Sequence, residues 1–215
     1  MARSFVLILV VFSVVYAVGA QTADVAADFE RLHKAAVAKL DRVAHREVSI
    51  TEDFKTKDGI LEVKDVRTSL FLPPASRHIT RSQTRPDGVY LSEDIFIRKL
   101  RYWRVGNGEW KKEIYPGDKF LIRGYGAEVK TTVDLKGEVD LDGNKAQLFV
   151  ITRTSSYWKL PEIEHVWFGT TGLLLKSTKE GDLGQGTTYR KELTMYEYVK
   201  NFRIKAPVLK STEYK

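Results

Sequence analysis

The chain has 215 residues, a formal net charge of +7 and no cysteine. This length fits an export signal followed by one domain large enough to bury a core. The lack of cysteine excludes a disulfide scaffold, a thiol-based metal or redox site and a cysteine-linked lipid anchor. The moderate positive charge favours weak attraction to anionic membrane surfaces or acidic partners, although a basic exported protein without such a partner has the same composition.

The first twenty residues have the pattern of a cleaved export signal. Arg3 is followed by the apolar run Phe5–Val18 and then by the small residues Val18-Gly19-Ala20. A bilayer-spanning helix needs about 20 apolar residues, so a membrane anchor is the weaker interpretation. We expect cleavage near Ala20 and one domain over residues 21–215. The missing cysteines and the missing Asn-x-Ser/Thr acceptor favour a periplasmic location.

An amphipathic helix is predicted from about Thr22 to Ala44. Apolar residues recur there at spacings of three and four and so share one stripe: Val25, Phe29, Leu32, Ala36, Leu40 and Val43. Charged residues occupy the other side. Such a helix needs an apolar surface to pack against.

After the helix, apolar residues recur with period two, which is typical of antiparallel strands. A change of phase predicts a bulge near Lys64-Asp65, and Pro73-Pro74 is predicted to end a strand. Tyr115–Gly126 is predicted to be a lid-like loop. Turns are predicted at Lys57–Gly59, Pro86–Gly88, Gly106–Gly108, Asp140–Asn144 and Gly169–Gly172.

These elements predict a mainly β fold of the α+β class, with one N-terminal helix and about ten strands. A twisted sheet of ~10 strands tends to curl. We expect the helix to cover the concave side of this large curved antiparallel sheet, so that both layers share one core. If the helix fills that side only in part, an apolar cavity remains.

The sequence offers little catalytic or metal chemistry. It contains no Gly-x-Ser-x-Gly and no His-Glu-x-x-His motif. Glu162, Glu164 and His165 have metal-ligand chemistry, but a solvated acidic pair on a surface strand explains them better. Asp140–Asn144 resembles the start of a calcium loop without its closing glutamate, and Gly181–Gly186 lacks the Lys-Ser/Thr pair of a phosphate loop. We expect no catalytic residue, no metal and no cofactor.

Basic and aromatic residues alternate between Arg98 and Arg104. This pattern occurs in proteins that bind single-stranded nucleic acid. An exported protein rarely has such a ligand, and a strand with snorkelling basic side chains is the favoured interpretation. We therefore expect no nucleic-acid partner.

Four segments together resemble a known family: Tyr102–Trp110, Gly137–Ala146, Val166–Lys176 and Tyr196–Pro207. Their pattern is similar to the lipoprotein-carrier superfamily of the bacterial envelope, which includes LolA-type carriers and LppX/LprG-type lipid-binding proteins. The resemblance implies an unclosed half-barrel capped by helices, an apolar cavity for acyl chains and no enzyme activity. The chain departs from the family pattern in showing one clear helix and no anchor cysteine.

The resulting hypothesis is an exported, monomeric, non-catalytic carrier that holds a lipid or a lipoprotein acyl chain for transport across the envelope, with transient membrane contact. Movement of the helix and of residues 115–126 would admit the chain. Strand alternation predicts these cavity-lining residues: Val89, Leu91, Ile97, Trp103, Phe149 and Trp167. Two alternatives remain open at this point, a sensory module that binds an envelope protein and a periplasmic hydrolase.

Overall fold

A computed structural model describes residues 24–115, 129–182, 188–199 and 202–209. The predicted export signal, most of the predicted lid-like loop and part of Gly181–Gly186 lie outside these residues. Helix α1 occupies residues 24–40 of the described chain. No helix in these ranges combines the length and apolarity that crossing a bilayer requires.

Eleven strands follow α1. Their bounds are β1 His45–Phe54, β2 Leu61–Leu72, β3 Ser76–Arg85, β4 Gly88–Ile97, β5 Leu100–Val105, β6 Lys111–Ile114, β7 Val129–Leu141, β8 Asn144–Ser155, β9 Glu162–Gly169, β10 Leu174–Asp182 and β11 Tyr189–Glu197.

All eleven strands form one antiparallel sheet in the order β6-β5-β4-β3-β2-β1-β11-β10-β9-β8-β7. Two runs of sequential hairpins, β1 to β6 and β7 to β11, are joined side by side where β1 pairs with β11. Strands β6 and β7 are the edges, so the sheet does not close. The predicted α+β half-barrel with an N-terminal helical cap is confirmed.

Most of the hairpins lie where the turn residues of the sequence predict them. The predicted turns at Lys57–Gly59, Pro86–Gly88, Asp140–Asn144 and Gly169–Gly172 each connect two paired strands. At the third of these, Asp142 has a φ of 54° and Gly143 a φ of 82°, as a tight hairpin turn requires.

Two local predictions were wrong. The irregularity in β2 lies between Leu61 and Val63, which pair with Phe54 and Asp53, and not near Lys64-Asp65. The predicted end of the helix at Ala44 is also four residues too late, because α1 ends at residue 40 and a turn follows it. The segment from Val89 to Val105 forms two strands, and the chain reverses between them at Arg98, where φ is 57°.

Helix α1 packs against one end of the sheet, over β8, β9 and β10. The buried core residues there are Ala36, Phe149, Ile151, Val166, Phe168 and Leu174. Partly buried side chains of α1 surround them, namely Val25, Phe29, Leu32 and Leu40. Five of the six residues of the predicted stripe thus face the sheet, and Val43 lies beyond the end of α1. Lys39 fixes the end of α1 by donating from Nζ to the carbonyl oxygen of Thr171 at 2.7 Å.

Candidate ligand-binding face

The two faces of the sheet differ in chemistry. Cross-strand partners point to the same face and successive residues to opposite faces, so the pairing registers assign every strand residue to one side. We call the side that α1 contacts the helix face and the other side the reverse face.

The contact between α1 and the helix face is closely packed. Ala36, Ile151 and Val166 are at most 1% exposed, and Phe149 is 2% exposed. Ring centroids of Phe29 and Phe149 are 5.5 Å apart. A water-sized void would leave measurable accessible surface on these side chains. Among the described residues, α1 therefore fills its part of the helix face instead of covering an empty hollow.

Beyond α1, the helix face carries ion pairs. They form a chain across five strands, through Arg153 on β8, Glu162 and Glu164 on β9, Lys179 on β10, Glu192 and Arg190 on β11 and Asp53 on β1. Arg153 Nη1 lies 2.7 Å from both Glu162 Oε1 and Glu164 Oε2. Burial alone would lower the pKa of the Arg153 guanidinium, but its bonds to Glu164 and Glu162 outweigh burial and raise it. This surface is unsuited to a hydrocarbon chain.

The reverse face is apolar at the centre of the sheet. Val48 and Ile50 of β1 lie there, next to Val66 of β2 and to Leu193 and Met195 of β11. All five are half-buried except Met195, which is 40% exposed. Side chains of this kind leave apolar surface available to a ligand.

One row of side chains crosses the reverse face at right angles to the strands. Each member is the registered partner of the next: Leu91, Ser82, Val66, Ile50, Leu193, Thr178 and His165. We call these seven residues the transverse row. Since neighbouring strands are about 4.8 Å apart, the row extends for about 29 Å over seven strands.

Two grooves lie along the transverse row. The first has a volume of about 450 Å³ and includes Ile50, Leu193, Thr178 and His165 among its lining residues. The second has a volume of about 290 Å³ and includes Leu91, Ser82 and Val66. Ile50 of the first groove and Val66 of the second are direct cross-strand partners, so the two grooves are one strand apart. Their volumes are at the lower end of the range for small-molecule sites.

Charged groups border both grooves. Lys64 Nζ lies 2.8 Å from Glu52 Oε1 at the edge of the first groove. Beside the second groove, Glu93 accepts two bonds from Arg104 and contacts His78 Nε2 at 2.7 Å. Burial raises the pKa of the Glu93 carboxyl, but Arg104 and His78 outweigh burial and hold the pKa below its usual value.

The six predicted lining residues are divided between the faces. Val89, Leu91 and Ile97 of β4 lie on the reverse face, as does Trp167 of β9. Leu91 belongs to the transverse row, and Trp167 stacks on His165 with ring centroids 5.8 Å apart.

Trp103 and Phe149 lie on the helix face instead. Phe149 is part of the helix–sheet core. The Trp103 ring lies between the cations of Arg101 and Lys111. These two residues are therefore separated from the other four by the thickness of the sheet.

The sequence prediction missed the centre of the row. Ile50, Val66 and Leu193 alternate with polar residues in their strands, and this signal was available in the sequence. Their grouping depends on the pairing of β1 with β11, 137 residues apart in the chain between Asp53 and Arg190.

The described residues contain no group of three or more His, Cys, Asp or Glu side chains that could hold a metal ion. Glu162 and Glu164, considered above as ligands, are ion-paired with Arg153. The reverse face therefore combines apolar contacts at Ile50, Val66 and Leu193 with charged side chains, since six of the ten residues that line the first groove are lysines or glutamates.

No family model matches the chain, and no curated protein matches it. Several solved structures do match the chain. The lipoprotein LppX of Mycobacterium tuberculosis matches with a TM-score of 0.45 at 10% identity, covering 81% of this chain and 97% of LppX. A DUF1329 family protein of Desulfovibrio piger matches with a TM-score of 0.33 at 8% identity, covering 81% and 94%.

A putative outer membrane lipoprotein-sorting protein domain of Vibrio parahaemolyticus matches with a TM-score of 0.31 at 9% identity, covering 80% of this chain and 93% of the domain. Two of these structures, LppX and the lipoprotein-sorting domain, are proteins of the kind that the sequence pattern resembles, and at 10% identity or less the likeness concerns the fold alone.

Proposed function

We propose that this chain is an exported, non-catalytic lipid-binding protein of the bacterial envelope, which holds an acyl chain along the transverse row. The observation that carries the proposal is the continuity of that row. Four apolar side chains, Leu91, Val66, Ile50 and Leu193, lie in one line of registered partners beside two grooves, with Ser82 between Leu91 and Val66. A long, narrow row with an apolar centre at Val66, Ile50 and Leu193 fits a linear hydrocarbon better than a compact ligand.

Binding on this surface would come from apolar burial. Each methylene removed from water contributes about 0.8 kcal/mol. The hydroxyls of Ser82 and Thr178 and the charged border would accept the polar end of a lipid. Carriage of a lipid or of an acylated protein across the envelope is the role that this binding would serve.

Two measurements on the mature chain test the binding. Lipid extracted from protein purified without detergent is identified by mass spectrometry, and binding of a fluorescent fatty acid is titrated. We expect a co-purified acyl lipid and saturable probe binding. Repeated recovery of lipid-free protein that binds no probe would overturn the proposal.

A substitution that fills the groove locates the site. Ile50→Trp places a large side chain at the midpoint of the row. Loss of only two methylene contacts, at about 0.8 kcal/mol each, weakens probe binding by about tenfold. The matched control is Val105→Trp, at a residue that is 60% exposed on the helix face of β5. Equal weakening by both variants would place the ligand elsewhere.

A further inference from the structure

Positive charge is concentrated at one edge of the sheet. Between Phe96 and Tyr115 the chain carries six lysines and arginines against two glutamates. These residues form the end of β4, all of β5 and the edge strand β6. The same twenty residues contain five aromatic side chains, including two of the four tryptophans of the chain.

Two of the six cations are neutralised within the sheet. Arg101 bonds Asp94 at 2.7 Å and Glu113 at 2.9 Å. Arg104 donates two bonds to Glu93. These two arginines therefore contribute little net field at the edge.

The other four cations have no carboxylate partner among the described residues. Arg98 and Lys99 are exposed at the turn between β4 and β5. Lys111 and Lys112 are exposed on β6 and point to opposite faces, because they are successive strand residues. We call Arg98, Lys99, Lys111 and Lys112 the basic edge.

Aromatic and aliphatic side chains accompany the basic edge. Lys111 Nζ lies 4.6 Å from the centroid of the Trp103 ring, and Lys112 Nζ lies 5.9 Å from that of Tyr102. Ile114, at the end of β6, is 78% exposed. Tyr102 is buried in the sheet at 8% exposure, but Trp103 is only half-buried. Exposed lysines beside that indole and an exposed aliphatic side chain suit a membrane interface, where rings lie at headgroup level and cations meet anionic lipids.

The opposite edge provides an internal comparison. Strand β7 is also an edge strand and also carries lysines. Its Lys136 lies 3.8 Å from Asp134 and the neighbouring Lys145 lies 2.9 Å from Glu138, whereas its Lys130 is exposed and has no carboxylate partner among the described residues. Lysines on edge strands commonly discourage sheet-to-sheet aggregation. That role requires no excess charge, since β7 carries two lysines and three acids. Strand β6 carries two lysines and one glutamate, and that glutamate pairs with Arg101. The positive charge left on β6 favours a negatively charged partner.

We propose that the basic edge docks the protein onto an anionic membrane surface. Because Lys111 and Lys112 project from both faces of β6, the contact is made edge-on and leaves the reverse face uncovered. The second groove, which includes Leu91, Arg104 and Asn107, lies next to β5 on the same side of the sheet. An edge-on contact would place the end of the transverse row nearest to the bilayer.

Flotation with unilamellar vesicles tests this surface on the mature chain. Phosphatidylcholine vesicles are compared with vesicles in which part of the lipid is phosphatidylglycerol, at low and high salt. We expect binding to the anionic vesicles only, weakened by salt. Each lysine near an anionic surface is worth about fivefold in affinity, so K111Q/K112Q weakens binding by about thirtyfold. K111R/K112R retains it, and K130Q/K136Q on β7 leaves it unchanged.

Three results would overturn the proposal: equal binding to both vesicle types, equal losses in K111Q/K112Q and K130Q/K136Q, or capture by an acidic polypeptide or DNA without vesicle binding. If the lysines only protect the edge, K111Q/K112Q self-associates while vesicle binding is unchanged. Fatty-acid probe binding, measured on the same variants without vesicles, reports separately on the groove. Its loss with vesicle binding intact would count against the proposed lipid-binding function and not against the basic edge.

Discussion

Phe149 contacts two other rings at the centre of the helix–sheet core. Its centroid lies 5.5 Å from that of Phe29 and 5.8 Å from that of Phe168. We expect Phe149→Ala to lower the free energy of unfolding by about 3–5 kcal/mol, since a buried aromatic residue leaves a cavity. Its cross-strand partner Leu135 is 45% exposed. Leu135→Ala should cost about 1 kcal/mol or less. Urea unfolding followed by circular dichroism makes the comparison, and equal costs would contradict the core assignment.

Tyr198 links the end of the chain to β10. Its hydroxyl donates to the carbonyl oxygen of Leu174 at 2.6 Å, and burial raises its pKa to about 12. The phenol of an unfolded chain has a pKa of about 10. The folded state therefore holds the proton more tightly. The resulting stabilisation is complete below pH ~10 and is lost as the pH rises towards ~12.

The free energy of unfolding should consequently fall between pH ~10 and pH ~12. Tyr198→Phe should reduce that fall, and the buried Tyr189, whose pKa is also raised to about 12, should maintain part of it. Tyr157→Phe, at a residue that is 62% exposed, is the control. Identical pH profiles for the two variants would refute the role of Tyr198.

At the scale of single elements, the docking of α1 depends on small side chains. Ala36 is 0% exposed against the sheet, and its neighbour Ala35 is exposed. Ala36→Leu should destabilise the protein by about 1–3 kcal/mol through overpacking. Ala35→Leu should change stability by about 0.5 kcal/mol or less. A stable Ala36→Leu variant would show spare room under α1, and fatty-acid binding by that variant should then be measured.

The ion-pair chain on the helix face has a matched comparison within the same strand. Arg153→Gln leaves Glu162 and Glu164 facing each other without their shared cation, and we expect a cost of about 1–3 kcal/mol. Lys145, also on β8, forms an exposed pair with Glu138, with side chains 72% and 58% exposed. Lys145→Gln should cost about 0.5 kcal/mol. Thermal unfolding at low and high salt distinguishes the two, and equal costs would mean that the chain of ion pairs adds nothing.

At the scale of the whole molecule, the first and the last of the described strands, β1 and β11, pair at the centre of the sheet. β1 pairs with β11, so removing β11 separates β1–β6 from β7–β10. A chain that ends at residue 187 should lose both cooperative unfolding and fatty-acid binding, and a chain that ends at residue 209 should keep both. Cooperative unfolding of the shorter chain would show that one half folds alone.

The sequence specified local structure well because turns and alternation are local properties. Pro86-Asp-Gly88 and Asp140–Asn144 bring their own backbone preferences, and α1 is readable from its apolar spacing. The choice of face is different. In β8, Phe149 points to the helix face while Leu148 and Val150 point to the reverse face, and all three are apolar. The alternation separates the side chains of β8 into two sets, one on each face of the sheet. It does not show which of the two sets packs against α1.

The candidate site was less predictable for the same reason. Glu162 and Glu164 were expected to be solvated, whereas they share Arg153, a partner found only through the pairing of β8 with β9. The transverse row requires six pairings at once. The sequence pattern of each strand identifies the residues that can belong to the row. Only the pairing of the strands in the folded sheet shows which of these residues are neighbours.

The position of β11 also determines when the transverse row is completed during synthesis of the chain. Leu193, at the middle of the row, belongs to the last strand to be synthesised. A chain that lacks β11 therefore has no complete transverse row. Under the proposed function, it could hold an acyl chain only after β11 has inserted between β1 and β10.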